Sequence, residues 1–138
     1  MERIFPLSTT QYRWLAALWT GGIVVACSIP AASLSPIKPA LSADKFIHFG
    51  LFAVFGALWM RALCPPRASA HRCRYSLYLL GGGSLFAVGT EIYQHILPIQ
   101  RYGDPYDALA DGSGLLLAVI VYALLMRSNS RSESAQPR

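Results

Sequence analysis

Charge is scarce in this chain. Only 14% of its 138 residues are charged, and just seven are acidic. A soluble domain of this size carries about a quarter charged residues. The deficit argues against an ordinary soluble domain, and a 54% hydrophobic content with a mean hydropathy of +0.38 points to a membrane protein. Cysteine is also rare. Cys27, Cys64 and Cys73 are odd in number and form no CxxC pair, which argues against a disulfide framework or zinc knuckle and predicts thiols. No basic patch interleaved with aromatics accompanies the net charge of +5, so a nucleic-acid partner is not expected. There is no internal repeat and no separate soluble domain, and the length suits one compact domain.

What is present is a set of four apolar segments, each close to the 20 or so residues that a bilayer requires. They run roughly over 14–29, 46–63, 75–97 and 106–126, and three of them end at or just before proline: Pro30, Pro65-Pro66 and Pro98. Short loops join them, so neighbouring helices are predicted antiparallel. The reading is an all-α, four-helix transmembrane bundle over 1–127, with a polar, Ser-rich and disordered tail over 128–138. A rival reading of the first segment is a signal peptide, since Arg3 and Arg13 precede it and Ala31-Ala32-Ser33 follows; Trp14 and Trp19 favour a retained helix. Small residues at Gly83/Ala87 and Gly114/Ala118 mark expected close helix contacts, with further candidates at Gly21, Gly22, Gly50, Gly56, Gly81 and Gly82.

Basic residues orient the four segments. Arg3, Arg13, Arg61, Arg67, Arg72, Arg74, Arg127, Arg131 and Arg138 all fall on one side, whereas only Lys38, Lys45 and Arg101 fall on the other. The positive-inside rule then places both termini in the cytoplasm and the first and third loops outside, in a plasma (inner) membrane.

The acids fall where an apolar chain can least tolerate them. Asp44, Glu91, Asp104, Asp107 and Asp111 lie in or beside the apolar segments. An ionisable group at membrane depth costs several kcal/mol unless it is paired or faces a polar cavity, which makes each a functional-site candidate. Asp44 and His48 are four residues apart on one helix face, and Asp44 also suits a helix N-terminus. Glu91, Gln94 and His95 are spaced as one polar stripe, and a structural Glu91 would need Lys45, Arg101 or His48 as partner. A helix starting near Pro105 puts Asp104 at its cap and Asp107 and Asp111 on one face. Glu91 and Asp111 then fall at similar depth on antiparallel neighbours, where two carboxyls can meet and share a proton or cation.

Three short motifs run through these residues in order: Asp44-Lys45-x-x-His48, Glu91-x-x-Gln94 and Arg101-x-Gly103-Asp104-x-x-Asp107. Together they resemble the VanZ-like membrane proteins over about residues 40–118. That family usually carries Asn four residues after the last Asp, where this chain has Asp111. The resemblance implies a four-helix integral membrane protein, and its founding member is associated with low-level resistance to teicoplanin; it supplies no reaction. The functional cluster expected is Asp44, Lys45, His48, Glu91, Gln94, Arg101, Asp104 and Asp107.

Three functions compete. The first is a cell-envelope accessory protein that binds a lipid-linked envelope component or a glycopeptide at the outer leaflet. The second is a membrane-embedded enzyme on a lipid-linked substrate, with Lys45, His48 and Arg101 holding an anion and Glu91, Asp107 or His48 as catalytic candidates, or with several carboxylates holding a divalent cation. The sequence holds no HExxH, no G-x-S-x-G and no complete metal-ligand set, so neither a metal nor a cofactor is expected. The third is an ion- or proton-coupled transporter using Glu91, Asp111 and His95, which would need a homo-oligomer of so small a bundle. Against all three stands a purely architectural cluster that locks the helices together.

Overall fold

The computed structural model describes residues 6–30, 41–64, 72–98 and 103–134, with residues 41–43 and 129–134 described for their backbone alone. These residues form four α-helices, and no strand occurs among them: α1 (Thr9–Cys27), α2 (Leu41–Leu63), α3 (Arg72–Ile96) and α4 (Pro105–Ser134). α1 and α4 start ahead of their apolar stretches, where a capping side chain satisfies free N–H groups of the helix end. Ser8 caps α1 by accepting the Gln11 N–H, and the Gln11 side chain returns a bond to the Ser8 N–H. This reciprocal pair is a capping box. Asp104 caps α4 as its sequence position predicts: its carboxylate accepts the Tyr106 N–H at 2.9 Å, and Pro105 takes the first helical position, where its missing N–H does no harm.

α4 also runs beyond Arg127, through the first part of the polar tail, to Ser134. Neither Gly nor Pro occurs between Leu115 and Gln136, so nothing in that stretch breaks a helix once it is nucleated. Residues 135–138 lie outside the described ones.

α2 and α4 form the central pair, α1 packs on α2, and α3 packs mainly on α4. The α2–α4 approach is backbone to backbone. A Cβ at Gly114 would meet the Phe49 carbonyl oxygen and, at 2.8 Å, the Ala53 nitrogen; one at Gly56 would lie 2.7 Å from Ala118 Cβ. Gly83 accommodates Leu115, whose Cδ1 would lie 2.8 Å from an added Cβ. Gly83, Ala87, Gly114 and Ala118 are thus buried packing positions, whereas Gly21, Gly22, Gly50, Gly81 and Gly82 face open space. Between the helices, Phe52, Phe55 and Phe86 form an aromatic core in which Phe55 and Phe86 stack at 5.3 Å. Such pairs contribute about 0.5–1.5 kcal/mol each beyond their burial. Two indoles tie α1 to α2: Trp19 Nε1 donates to the Leu51 carbonyl and Trp59 Nε1 to Thr20 Oγ1, both at 3.0 Å. No disulfide forms among the described residues; Cys27 and Cys64 are buried and Cys73 is exposed.

The outside of the bundle is as apolar as its core. Leu18 on α1, Phe46 on α2, Leu85 on α3 and Leu109 on α4 are 71%, 74%, 77% and 65% exposed. α2 over Asp44–Leu63 and α4 over Pro105–Ser128 are long and apolar enough to cross a membrane. α1 and α3 are more polar in composition. The first carries Thr9, Thr10, Gln11 and Arg13 in its opening turns, and the second carries four glycines with Ser76, Ser84, Thr90, Glu91, Gln94 and His95.

Candidate functional site

α2 and α4 both begin, and α3 ends, at one end of the bundle, and the acids gather there. Asp44, Lys45 and His48 occupy the first two turns of α2. Asp104 caps α4, and Asp107 and Asp111 follow on its buried face. Glu91 and Gln94 approach from the last turns of α3 and are buried, 7% and 3% exposed. The opposite ends carry Arg61, Arg72, Arg74 and Arg127. Of these, Arg61 is buried, donates to Thr9 Oγ1 at 3.3 Å and lies over the Tyr12 ring.

Two linked groups make up the cluster. At the rim, Lys45 Nζ bridges Asp104 Oδ2 at 2.7 Å and Asp107 Oδ1 at 2.9 Å, with the Tyr106 ring centred 5.5 Å from the ammonium. Deeper, His48 Nδ1 lies 3.1 Å from Asp111 Oδ1 and 3.9 Å from Glu91 Oε1, while its Nε2 faces Asp107 Oδ2 at 4.0 Å. Glu91 joins the two groups: its Oε2 accepts the Asp104 N–H at 2.8 Å. Glu91 and Asp111 come within 4.8 Å of each other, as their matched depth allows, and His48 joins them.

Lys45 is placed to neutralise acids rather than to hold an anion, since both its short contacts are carboxylates. The described acids, Asp44, Glu91, Asp104, Asp107 and Asp111, outnumber the two basic side chains, Lys45 and His48, so the cluster attracts cations. Asp44 sits in the first turn of α2, half-buried, where its charge suits the helix dipole. Arg101 lies outside the described residues. The predicted polar stripe on α3 divides: Glu91 and Gln94 turn inward, but His95 is exposed and helps to line a groove of about 360 Å³ with Val88, Glu91, Ile92, Gly103, Pro105 and Ala108. An i, i+4 step advances a helix by 400°, and those 40° carry His95 past the edge of the interface.

Sequence reasoning gave Gly103 no role of its own. A Cβ there would come within 2.6 Å of the Glu91 carbonyl oxygen, so glycine lets the loop lie against α3 and delivers the Asp104 N–H to Glu91. The R-x-G-D spacing was the available signal.

Asp104 ties this corner to pH. The Lys45 ammonium, and then the Tyr106 N–H, hold its carboxyl below the usual range. A carboxyl depressed on folding contributes stability that is fully present above its ordinary pKa, about 3.9, and is lost as the pH falls through the lower folded value. The thermal midpoint of the wild type is therefore expected to exceed that of Asp104→Asn near neutrality, and the gap is expected to close on acidification below pH ~4. A gap that stays constant with pH would remove this role.

In comparisons with known proteins, no family model, no curated protein and no solved structure matches the chain.

Proposed function

We propose that the chain is a VanZ-like, four-span protein of the plasma membrane. Both termini are cytoplasmic, and the acid–histidine–lysine cluster faces outward to bind the polar part of a lipid-linked envelope component or a glycopeptide such as teicoplanin. The carrying observation is the inverted distribution of polarity. Large apolar side chains cover the outside of all four helices, while Glu91, Gln94, Asp107, Asp111 and His48 are buried at one end. A water-facing surface of this kind would be an aggregation liability, whereas lipid accepts it. The same distribution supports α1 and α3 as spans despite their composition, because the polar residues of α1 sit in its opening turns at the opposite end, while at this end Thr90, Glu91 and Gln94 of α3 turn inward and His95 sits in its last turn. The arginines at the other end of α2, α3 and α4 support the orientation.

An accessory binding role accounts for the motifs without a reaction. The ammonium most suited to hold a phosphate is already held between two carboxylates, which weighs against the enzyme reading based on anion capture.

Two measurements test the proposal. With the native cysteines changed to Ser, Pro98→Cys, an exposed position beyond α3, is expected to react with a membrane-impermeant maleimide in intact cells. Pro98 is preferable to Gly103, where any side chain would push on α3. Reaction only after permeabilisation would invert the topology and overturn the outward-facing site. In cells that depend on the protein for teicoplanin tolerance, Glu91→Gln and Asp107→Asn are each expected to abolish the tolerance at unchanged protein level. Full tolerance in both variants would overturn the binding role.

A further inference from the structure

We propose that His48, Glu91 and Asp111 form a binding site for one divalent first-row cation of the zinc or manganese class. They come from three different helices, and each offers a ligand atom within 4.8 Å of the other two. A metal–ligand bond of about 2.0–2.2 Å puts neighbouring donors about 3.0–3.5 Å apart in octahedral or tetrahedral geometry. His48 Nδ1 already lies 3.1 Å from Asp111 Oδ1 and 3.9 Å from Glu91 Oε1, and the two carboxylates lie within 4.8 Å of each other, so shifts on the order of an ångström complete the set.

A second observation points to a ligand. Glu91 Oε1 and Asp111 Oδ2 are buried without any hydrogen-bond partner, and Asp111 is 0% exposed. A buried carboxylate oxygen left unsatisfied is costly, and such atoms are uncommon in native proteins. Glu91 Oε1 is aimed into the cluster, at His48. A dication with two carboxylates and a neutral imidazole has no net charge, which suits a low-dielectric interior better than two bare acids do. One nitrogen with two oxygens fits zinc or manganese better than calcium, which takes oxygen alone. Asp107 Oδ2 lies on the Nε2 side of His48, where a metal-bound histidine commonly finds a carboxylate to fix its ring. Three protein ligands leave a coordination position for water or another oxygen ligand.

Asp44, His48 and Asp107 form a second grouping of similar span. The Lys45 ammonium on Asp107 Oδ1 repels a cation there, and Asp44 is half-buried. The buried triad is therefore the site, and it stands or falls independently of any envelope role.

The test uses the full-length chain in detergent, without a polyhistidine tag, stripped with chelator and dialysed against ZnCl2 or MnCl2. Elemental analysis is expected to find one zinc or manganese per chain after gel filtration. Glu91→Gln, which keeps an acceptor for the Asp104 N–H, and Asp111→Asn are each expected to weaken binding at least ~100-fold. Circular dichroism and a monodisperse elution profile confirm the fold of each variant. Should one fail to fold, His48→Gln takes its place. Three results would overturn the site: no stoichiometric uptake of either metal, wild-type affinity in the folded variants, or loss of binding in Asp107→Asn with Glu91→Gln and Asp111→Asn unaffected.

Discussion

Gly114→Val is expected to destabilise the bundle severely. Gly114 sits on α4 where it meets α2, and the atoms that an added Cβ encounters are the Phe49 carbonyl oxygen and the Ala53 nitrogen. Both are backbone. Neither can rotate aside as a side chain would, so the helices must separate. Separation loosens the neighbouring Gly56–Ala118 contact and the seat of Leu115, which is fully buried. Overpacking in a core usually costs about 1–3 kcal/mol and more where nothing yields. An unyielding backbone at the central interface puts Val at or beyond the top of that range. Native proteins are stable by only about 5–15 kcal/mol, so this is a large fraction of the whole. The measurement is denaturation monitored by near-UV circular dichroism, with Gly114→Ala as an intermediate step and Gly112→Ala as a reference. Nothing lies within 4 Å of a Cβ at Gly112, so Ala there should be neutral or stabilise by up to about 1 kcal/mol through helix propensity. Equal stability of Gly114→Val and wild type would rule out the close approach.

His48→Leu is the second large effect. Among the described residues it removes the only side chain hydrogen-bonded to Asp111, a group with no exposure at all, and it leaves Glu91 and Asp107 facing an apolar wall. Taking one partner from a buried pair typically costs about 3–5 kcal/mol, because the remaining charge is uncompensated. Asp111→Asn should be milder, since an amide can still hydrogen-bond the imidazole. Replacing both, as His48→Leu with Asp111→Leu, should recover most of the loss, because the pair and its desolvation disappear together. The cycle is run on metal-stripped protein, so that it reports the pair and not a bound ion. Additive losses in the double variant would mean that the two side chains do not interact.

Much of this arrangement was legible in the sequence, and the division is physical. Helix periodicity depends on local spacing, so the Asp44–His48 face, the shared face of Glu91 and Gln94, and the start of α4 at Pro105 could all be read from residues a few positions apart. The Ser8–Gln11 capping box was equally local, yet the apolar pattern placed the start of α1 at Trp14, because hydropathy marks the apolar stretch and not the hydrogen-bonded end. What local spacing leaves open is the rotation of each helix about its own axis against its neighbours. That rotation decides that His95 faces out, that Gly21 and Gly22 contact nothing while Gly56 and Gly114 do, and that His48 meets Asp111 across 63 residues of chain. The grouping of His48 with Glu91 and Asp111 is of the same kind: the three stand on three helices, and no linear pattern joins them.

The order in which the site's parts are made has a consequence for how the protein is assembled. His48 is synthesised 63 residues before Asp111, and Glu91 13 residues before Asp104. Until α4 exists, Glu91 has no amide to receive and Lys45 has no carboxylate to bridge. α3, with four glycines and a buried glutamate, has little reason of its own to enter lipid. In the four-span reading proposed above, a helix synthesised after it makes that entry favourable, so α3 and α4 would enter most readily as a hairpin. The polar corner then works as a latch that closes last, and a nascent chain arrested short of Asp104 would present an open acid that quality control can recognise.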